Sequence, residues 1–273
     1  MAVKNVIITG ATSGIGWFTA LGLAQQETSI LVLGRNQQKG EELATELAAL
    51  GAEAHFREAD FSSMQSVRRA AAEANHLFDH IDILVNNAGQ TCNNRQLTDD
   101  GFEMTFAVNH LAPFLFTNLL LPALQKSPVA RIVNVTSEMH RRSNIHFKDL
   151  MLERGYSMLR AYNQSKLANV MFTYELARRL QQTNVTANCL HPGVVATRIA
   201  RDFPAIITSV INLFMLSPEK GAEPSIYLAT AGELAGVSGR YYNRLKEQKS
   251  SAESYEEAKA ARLWDLSAHL VKL

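Results

Sequence analysis

Short runs of apolar, often β-branched residues alternate along this chain with longer stretches rich in Ala, Leu, Gln and Glu. The runs at residues 5–9, 29–33, 53–57, 83–86, 131–136, 185–190 and, more weakly, 239–242 predict strands. Most are near-continuously apolar rather than alternating, which suits parallel strands buried on both faces. The intervening stretches, such as 37–50 and 167–181, carry helix-forming composition. The βαβα order predicts an α/β fold: one doubly wound, Rossmann-type parallel sheet of about seven strands with helices on both faces. No Gly/Ser linker, repeat or low-complexity tract divides it, so residues 1–273 read as a single domain.

Two regions break this rhythm. Residues 138–159 form a connection longer than the usual few residues. Residues 200–217 carry a helix-like apolar stretch with little polar face, including Phe203, Ile206, Ile207, Ile211, Leu213, Phe214 and Met215. Both are expected on the carboxyl side of the strands, where such sheets bind ligands, as walls of a hydrophobic substrate site.

Composition narrows the possibilities. The 273 residues hold 27 Lys plus Arg against 26 Asp plus Glu, a formal charge of +1, with 47% hydrophobic residues. That balance excludes a disordered chain and argues against an extended nucleic-acid surface. Two cysteines, Cys92 and Cys189, make neither a disulfide scaffold nor a four-cysteine metal site, and point to a reducing compartment. No run of about 20 apolar residues and no cleavable leader is evident, so a cytoplasmic chain without a membrane span is expected.

The first strand runs into TGATSGIG, residues 9–16. Gly10, Gly14 and Gly16 permit a tight turn that brings backbone N–H groups close to a pyrophosphate, and a helix N-terminus adds partial positive charge. Thr12, Ser13 and Ile15 complete this turn. The spacing is GxxxGxG rather than GxGxxG, a partial match to the dinucleotide fingerprint. After the second strand, where an NAD site places a carboxylate on the ribose, the chain reads Gly34-Arg35-Asn36. Arg35 suits a 2′-phosphate, with Ser13 as a further donor, so the expected cofactor is NADP(H).

Tyr162 and Lys166, in YNQSK, stand at i and i+4 on a predicted helix and share a face. A phenol titrates near 10, too high for easy acid–base work at neutrality. An ammonium about 4 Å away is worth about 4 kcal/mol at an effective dielectric of about 20, an upper bound of roughly three pKa units. Lys166 is therefore expected to lower the Tyr162 pKa.

TGATSGIG, NNAG (residues 86–89), Asn109, Ser137, YNQSK and HPG (residues 191–193) occur in that order. With these motifs the chain resembles the short-chain dehydrogenase/reductase family over nearly its whole length. FAVNHLAPFLFTNLLLP (106–122), IHF (145–147) and SKLANVMFTYELARRL (165–180) make it most similar to the retinol-dehydrogenase-like branch. The resemblance implies nicotinamide-dependent oxidoreduction. It casts Tyr162 as proton donor or acceptor, Ser137 as the group that polarises the substrate oxygen, and Lys166 as the modulator of Tyr162 that also holds the nicotinamide ribose. It gives Asn109 the task of opening its helix and positioning a water beside Lys166. Asp60 and Phe61 are implied at the adenine, Asn87, Ala88 and Gly89 near the ribose, and Pro192, Gly193, Val195 and Thr197 beneath the carboxamide. Ser137 and Tyr162 lie farther apart in sequence than in compact members, so the intervening chain must loop out. That insert also bears on the helix pairing by which many members form tetramers, and leaves monomer or homo-oligomer undecided.

The expected reaction is hydride transfer between nicotinamide and a small hydrophobic ketone or aldehyde or its alcohol, with carbonyl reduction favoured. A retinol/retinal-type dehydrogenase, an NADP(H)-binding redox sensor without turnover, a methyltransferase and a tetrapyrrole reductase are the alternatives. The methyltransferase has no use for YNQSK, and a sensor tends to lose the Tyr or Lys. His191 reads as structural. His140 and His146 read as loop histidines without metal-ligand spacing, and Cys189 as a core residue. Cys92 borders the expected pocket.

Overall fold

The computed structural model describes residues 3–25, 27–194 and 216–273. Eight strands form one sheet: β1 Lys4–Thr9, β2 Thr28–Gly34, β3 Glu53–Glu58, β4 Ile83–Asn86, β5 Ala130–Val135, β6 Val185–His191, β7 Tyr241–Asn243 and β8 Lys246–Gln248. The order is β3-β2-β1-β4-β5-β6-β7-β8, parallel except for the terminal β7–β8 hairpin. The expected fold is therefore present, with one strand more. Lys246–Gln248 is short, polar and exposed, so no hydrophobic pattern marks it. Its two-residue turn uses Arg244 at φ +56° instead of the Asn-Gly or Asp-Gly pair that signals such hairpins.

The named helices are α1 Gly14–Leu23, α2 Gln37–Ala49, α3 Met64–Leu77, α4 Met104–Lys126, α5 Met158–Arg179, α6 Pro218–Thr230 and α7 Glu257–Leu270. Because successive strand side chains point to opposite faces, β1 and β2 divide their residues between two cores. Val6, Ile8, Ile30 and Val32 pack with Ala20, Leu43, Leu47 and Leu228 of α1, α2 and α6. Ile7, Leu31 and Leu33 pack with Val67, Phe116, Leu120 and Met171 of α3, α4 and α5. Burial on both faces explains why these strands read as unbroken apolar runs.

Helix α4 is the one described helix long and apolar enough to cross a bilayer, an exception to the expectation from sequence. Its most apolar stretch is 78% buried. It packs between the sheet, α3 and α5, which accounts for its hydrophobicity.

The chain leaves β1 toward β2 on one side, while β4 lies on the other. This reversal opens a crevice beyond the carboxyl ends of β1 and β4, the place where doubly wound sheets bind ligands.

Candidate active site

The glycine turn is pressed against the chain that follows β4. Gly10 has φ +65°, and a Cβ there would lie 2.7 Å from the Ala88 Cα. A Cβ on Gly16 would strike the Gly10 carbonyl and the Asn87 side chain. Thr9 locks the two segments together: its Oγ1 accepts the Asn87 and Ala88 N–H groups, each at 3.0 Å. Asn87 Nδ2 donates in return to the Thr9 and Gly10 carbonyls at 3.0 and 3.1 Å. The Asn87 amide thus holds the turn.

Helices α2, α3, α5 and α6 each have a side-chain oxygen closing their first turn. At α1 the N-cap Ser13 makes no such bond, and no acidic residue occupies the first turn. Uncapped N–H groups at a helix start, reached through a glycine turn, fit a dinucleotide pyrophosphate. Ile15 packs inward against Ala222 and offers the crevice its backbone alone. Gly16→Ala is expected to weaken dinucleotide binding at least about tenfold and to destabilise the fold by about 1–3 kcal/mol. Fluorescence titration with NADPH and thermal melts check this; no change in either would show that the turn is not closely packed.

Arg35 follows β2 directly and is exposed. Thr12 packs over Gly34, where a Cβ would crowd its Cγ2. Arg35 and uncharged residues, among them Ser62, Gln90, Cys92 and Asn94, line a cavity of about 500 Å³ that contains no carboxylate. Asn36 Oδ1 caps α2 by accepting Lys39 N–H at 2.9 Å. Asp60 Oδ1 accepts both the N–H and the hydroxyl of Ser62, at 2.9 and 2.8 Å. The Phe61 ring is buried edge-on against Phe116, with centroids 5.7 Å apart. A bulky apolar ring gains more from that core than from a solvated crevice rim.

Ser137 ends β5 and caps the short helix Glu138–Arg142, its Oγ accepting Met139 N–H at 3.2 Å. Ser137 lies near enough to the Tyr162 hydroxyl to hold its pKa down, so the fold brings together two side chains remote in sequence. Lys166 lies one turn farther along α5. Its Nζ sits 5.6 Å from the Tyr162 ring centroid and donates to the Val135 carbonyl at 3.1 Å. Asn109 is fully buried in a π-helical turn, Ala107–Leu111, so the helix does open locally there. Its Oδ1 accepts Gln90 N–H at 2.8 Å, and its Nδ2 donates to the Gln90 carbonyl and to Ser165 Oγ, both at 3.0 Å.

Burial raises the Tyr162 pKa above the usual phenol value, and Ser137 acts against that rise. The Lys166 ammonium lies over the face of the same ring. Burial also pushes Lys166 down to about 8.

The connection from Ser137 to Tyr162 does loop out, but it is docked rather than free. Ile145 and Leu152 are buried, and Phe147, Leu150 and Met151 pack on the main core. Tyr156 Oη donates to the Cys92 carbonyl at 2.6 Å and Arg95 Nε to the Met151 carbonyl at 3.1 Å. Gln164 takes His146 N–H and gives to the Leu150 carbonyl, each at 2.9 Å. Pro192 is buried, and Gly193 has φ +96° with Leu216 packed against it. Val195, Thr197 and the apolar residues from Phe203 to Met215 lie outside the described residues.

Sequence reading missed three supporting residues. Thr9 was legible only as a strand end. His140, taken for a loop histidine, is fully buried, with Nδ1 2.7 Å from the Ser137 carbonyl and Nε2 accepting Ser251 N–H at 3.1 Å. Asn169 reaches the Asn109 carbonyl from α5 at 2.7 Å. His191 is structural in placement, half-buried in the β6 end and pushed down to about 4 by burial. Cys189 is a core residue as expected.

Comparison with known proteins agrees with this geometry. The family model described as short chain dehydrogenase matches residues 4–205. Retinol dehydrogenase 14 of Homo sapiens is 41% identical over 99% of this chain and 87% of its own length. Retinol dehydrogenase 13 of Homo sapiens is 43% identical over 99% and 85%. Among solved structures, an uncharacterized protein from Mycobacterium Paratuberculosis superposes with a TM-score of 0.82 at 34% identity, covering 99% of this chain and 94% of its own. The actinorhodin polyketide ketoreductase with NADPH does so at 0.72 and 25% identity, over 93% and 100%.

Proposed function

The chain belongs to the short-chain dehydrogenase family, and on that premise we propose that it is an NADP(H)-dependent carbonyl reductase for hydrophobic ketones or aldehydes. The observation that carries the reading is Lys166 over the Tyr162 ring and beside Gly89, with Ser137 acting on the Tyr162 hydroxyl and the glycine turn packed against the same segment.

The nicotinamide, when bound, supplies or accepts the hydride. Tyr162 then gives its proton to the oxygen of the reduced carbonyl. Ser137 hydrogen-bonds that oxygen while charge develops on it, a contribution that grows in a water-poor site. Lys166 keeps a positive charge behind the ring, and Asn109 holds the wall at Gln90. A raised phenol pKa suits this direction, because the group stays protonated until an alkoxide, a far stronger base, appears beside it. The choice of NADP(H) is supported by Arg35 in a cavity without carboxylates, and by NADPH in the ketoreductase neighbour.

A panel of ring ketones, aromatic ketones and aldehydes, followed by loss of NADPH absorbance, tests the proposal. Turnover of several hydrophobic members is expected; inactivity across all of them would refute the substrate class. Retinal belongs in the panel because the curated relatives are named retinol dehydrogenases, and preference for it over ring ketones would favour the retinal-type reading. The low cysteine content, two in 273 residues, supports a cytoplasmic setting, which fractionation of cells checks.

The pH profile has a definite sign. Both Lys166 and Tyr162 act in their protonated forms during reduction, and Lys166 loses its charge first, at about 8. Reductive kcat/KM is expected to stay level below that pH and to decline as pH rises through it. A profile still level well above that value would show that the Lys166 charge is not needed.

A further inference from the structure

A buried chain of hydrogen bonds joins helix α7 to Asn109. Trp264 packs against Phe114 and Phe172, with centroids 4.9 and 5.8 Å away, and the Arg179 guanidinium lies 4.3 Å over its ring. About one turn on, Ser267 Oγ lies 2.9 Å from His110 Nε2. His110 Nδ1 lies 3.3 Å from Asn169 Oδ1, and Asn169 Nδ2 donates to the Asn109 carbonyl at 2.7 Å. Ser267 and His110 are fully buried, and Asn169 nearly so.

Proton directions follow from the groups themselves. With Asn169 Nδ2 on a carbonyl, its Oδ1 must accept, so His110 carries its proton on Nδ1. His110 Nε2 therefore accepts from the Ser267 hydroxyl. Burial keeps this imidazole neutral by holding its pKa near 4.

The local sequence explains why the chain is needed. Pro113 has no N–H, so it offers the Asn109 carbonyl no α-helical partner, and the helix widens into the Ala107–Leu111 π turn. A buried carbonyl needs another donor, and Asn169 provides one. The turn's placement matters at the site because a Cβ on Gly89 would lie 3.3 Å from Asn109 Oδ1 and 3.6 Å from Lys166 Nζ. The Asn109 amide oxygen and the Lys166 ammonium thus both border Gly89, so a shift of the π turn would change the surroundings of the lysine. The titratable neighbours of Lys166 are Tyr162 on its own helix and His191 at the β6 end.

We propose that Asn169 and His110 are positioning residues for the reaction, transmitting the docking of α7 to Asn109 and, through it, to Lys166. This rests on the reading of the site given above. The deciding variant is His110→Phe, which keeps a ring among Phe106, Phe114 and Phe172 but removes both hydrogen bonds. Ser267→Ala removes only the outer bond and serves where the first variant folds poorly.

The measurements are kcat, the NADPH KM, and the Lys166 titration followed by NMR on 13C-lysine-labelled protein, assigned with Lys166→Met. For His110→Phe, kcat is expected to fall about tenfold with the NADPH KM within about twofold. Lys166 should titrate about half a unit away from its wild-type value as its surroundings change. Ser267→Ala should move both in the same direction by less, and His110→Gln should restore part of the loss. An unmoved Lys166 titration in both variants overturns the proposal, even if kcat falls, because a merely structural role would reduce the folded fraction without shifting that titration. If the wild-type protein reduces no carbonyl compound, the functional reading fails, while the titration still decides the positioning.

Discussion

Tyr162→Phe is expected to lower kcat/KM for carbonyl reduction by about 10³-fold while leaving NADPH binding within about twofold. The phenyl ring remains where Lys166 Nζ packs against it, so the substitution removes the proton and little else. Because the ring keeps its packing, thermal melts should register at most a small shift. The residual rate comes from orientation and from Ser137, and solvent must then provide the proton. Steady-state kinetics with a good substrate from the carbonyl panel, beside a fluorescence titration with NADPH, make the measurement. Turnover near the wild-type rate would remove Tyr162 as the acid.

Arg35→Asp should reverse the cofactor preference. A charge-assisted bond to the 2′-phosphate contributes about 1.5–3 kcal/mol, and the new carboxylate adds repulsion. Affinity for NADPH is expected to fall about 100-fold, while NADH improves modestly because a carboxylate can accept from the ribose hydroxyls. Arg35 is exposed and makes no ion pair among the described residues, so stability should change by less than about 0.5 kcal/mol. Titration of wild type and variant with both nucleotides decides it. Tighter binding of NADH by the wild-type chain would overturn the assignment.

The two expectations differ in how far sequence alone supports them. Arg35 is a local matter: it is the residue after β2, and the strand pattern places it at the crevice without further information. The chemistry of Tyr162 is not local. The i, i+4 spacing correctly put Lys166 on the same face, but the sign of the phenol's shift depends on water being excluded around both groups. Burial raises Tyr162 and lowers Lys166, and neither effect can be read from the spacing of the two residues. The insert shows the same division. Its length was evident, whereas its docking through Tyr156, Arg95 and Gln164 depends on partners far away in the chain.

Periodicity and glycine spacing determined the alternation of strands and helices, the phosphate turn and the shared face of Tyr162 and Lys166, because each follows from neighbours within a few residues, while Ser137 and Asn109 were marked by the family resemblance alone. Only the folded chain decided that Phe61 turns into the core, that His140 and Asn169 brace Ser137 and Asn109, and that α7 reaches the π turn through Ser267. Those outcomes are set by desolvation and by hydrogen bonds between segments remote in sequence, and neither quantity exists until the chain has packed.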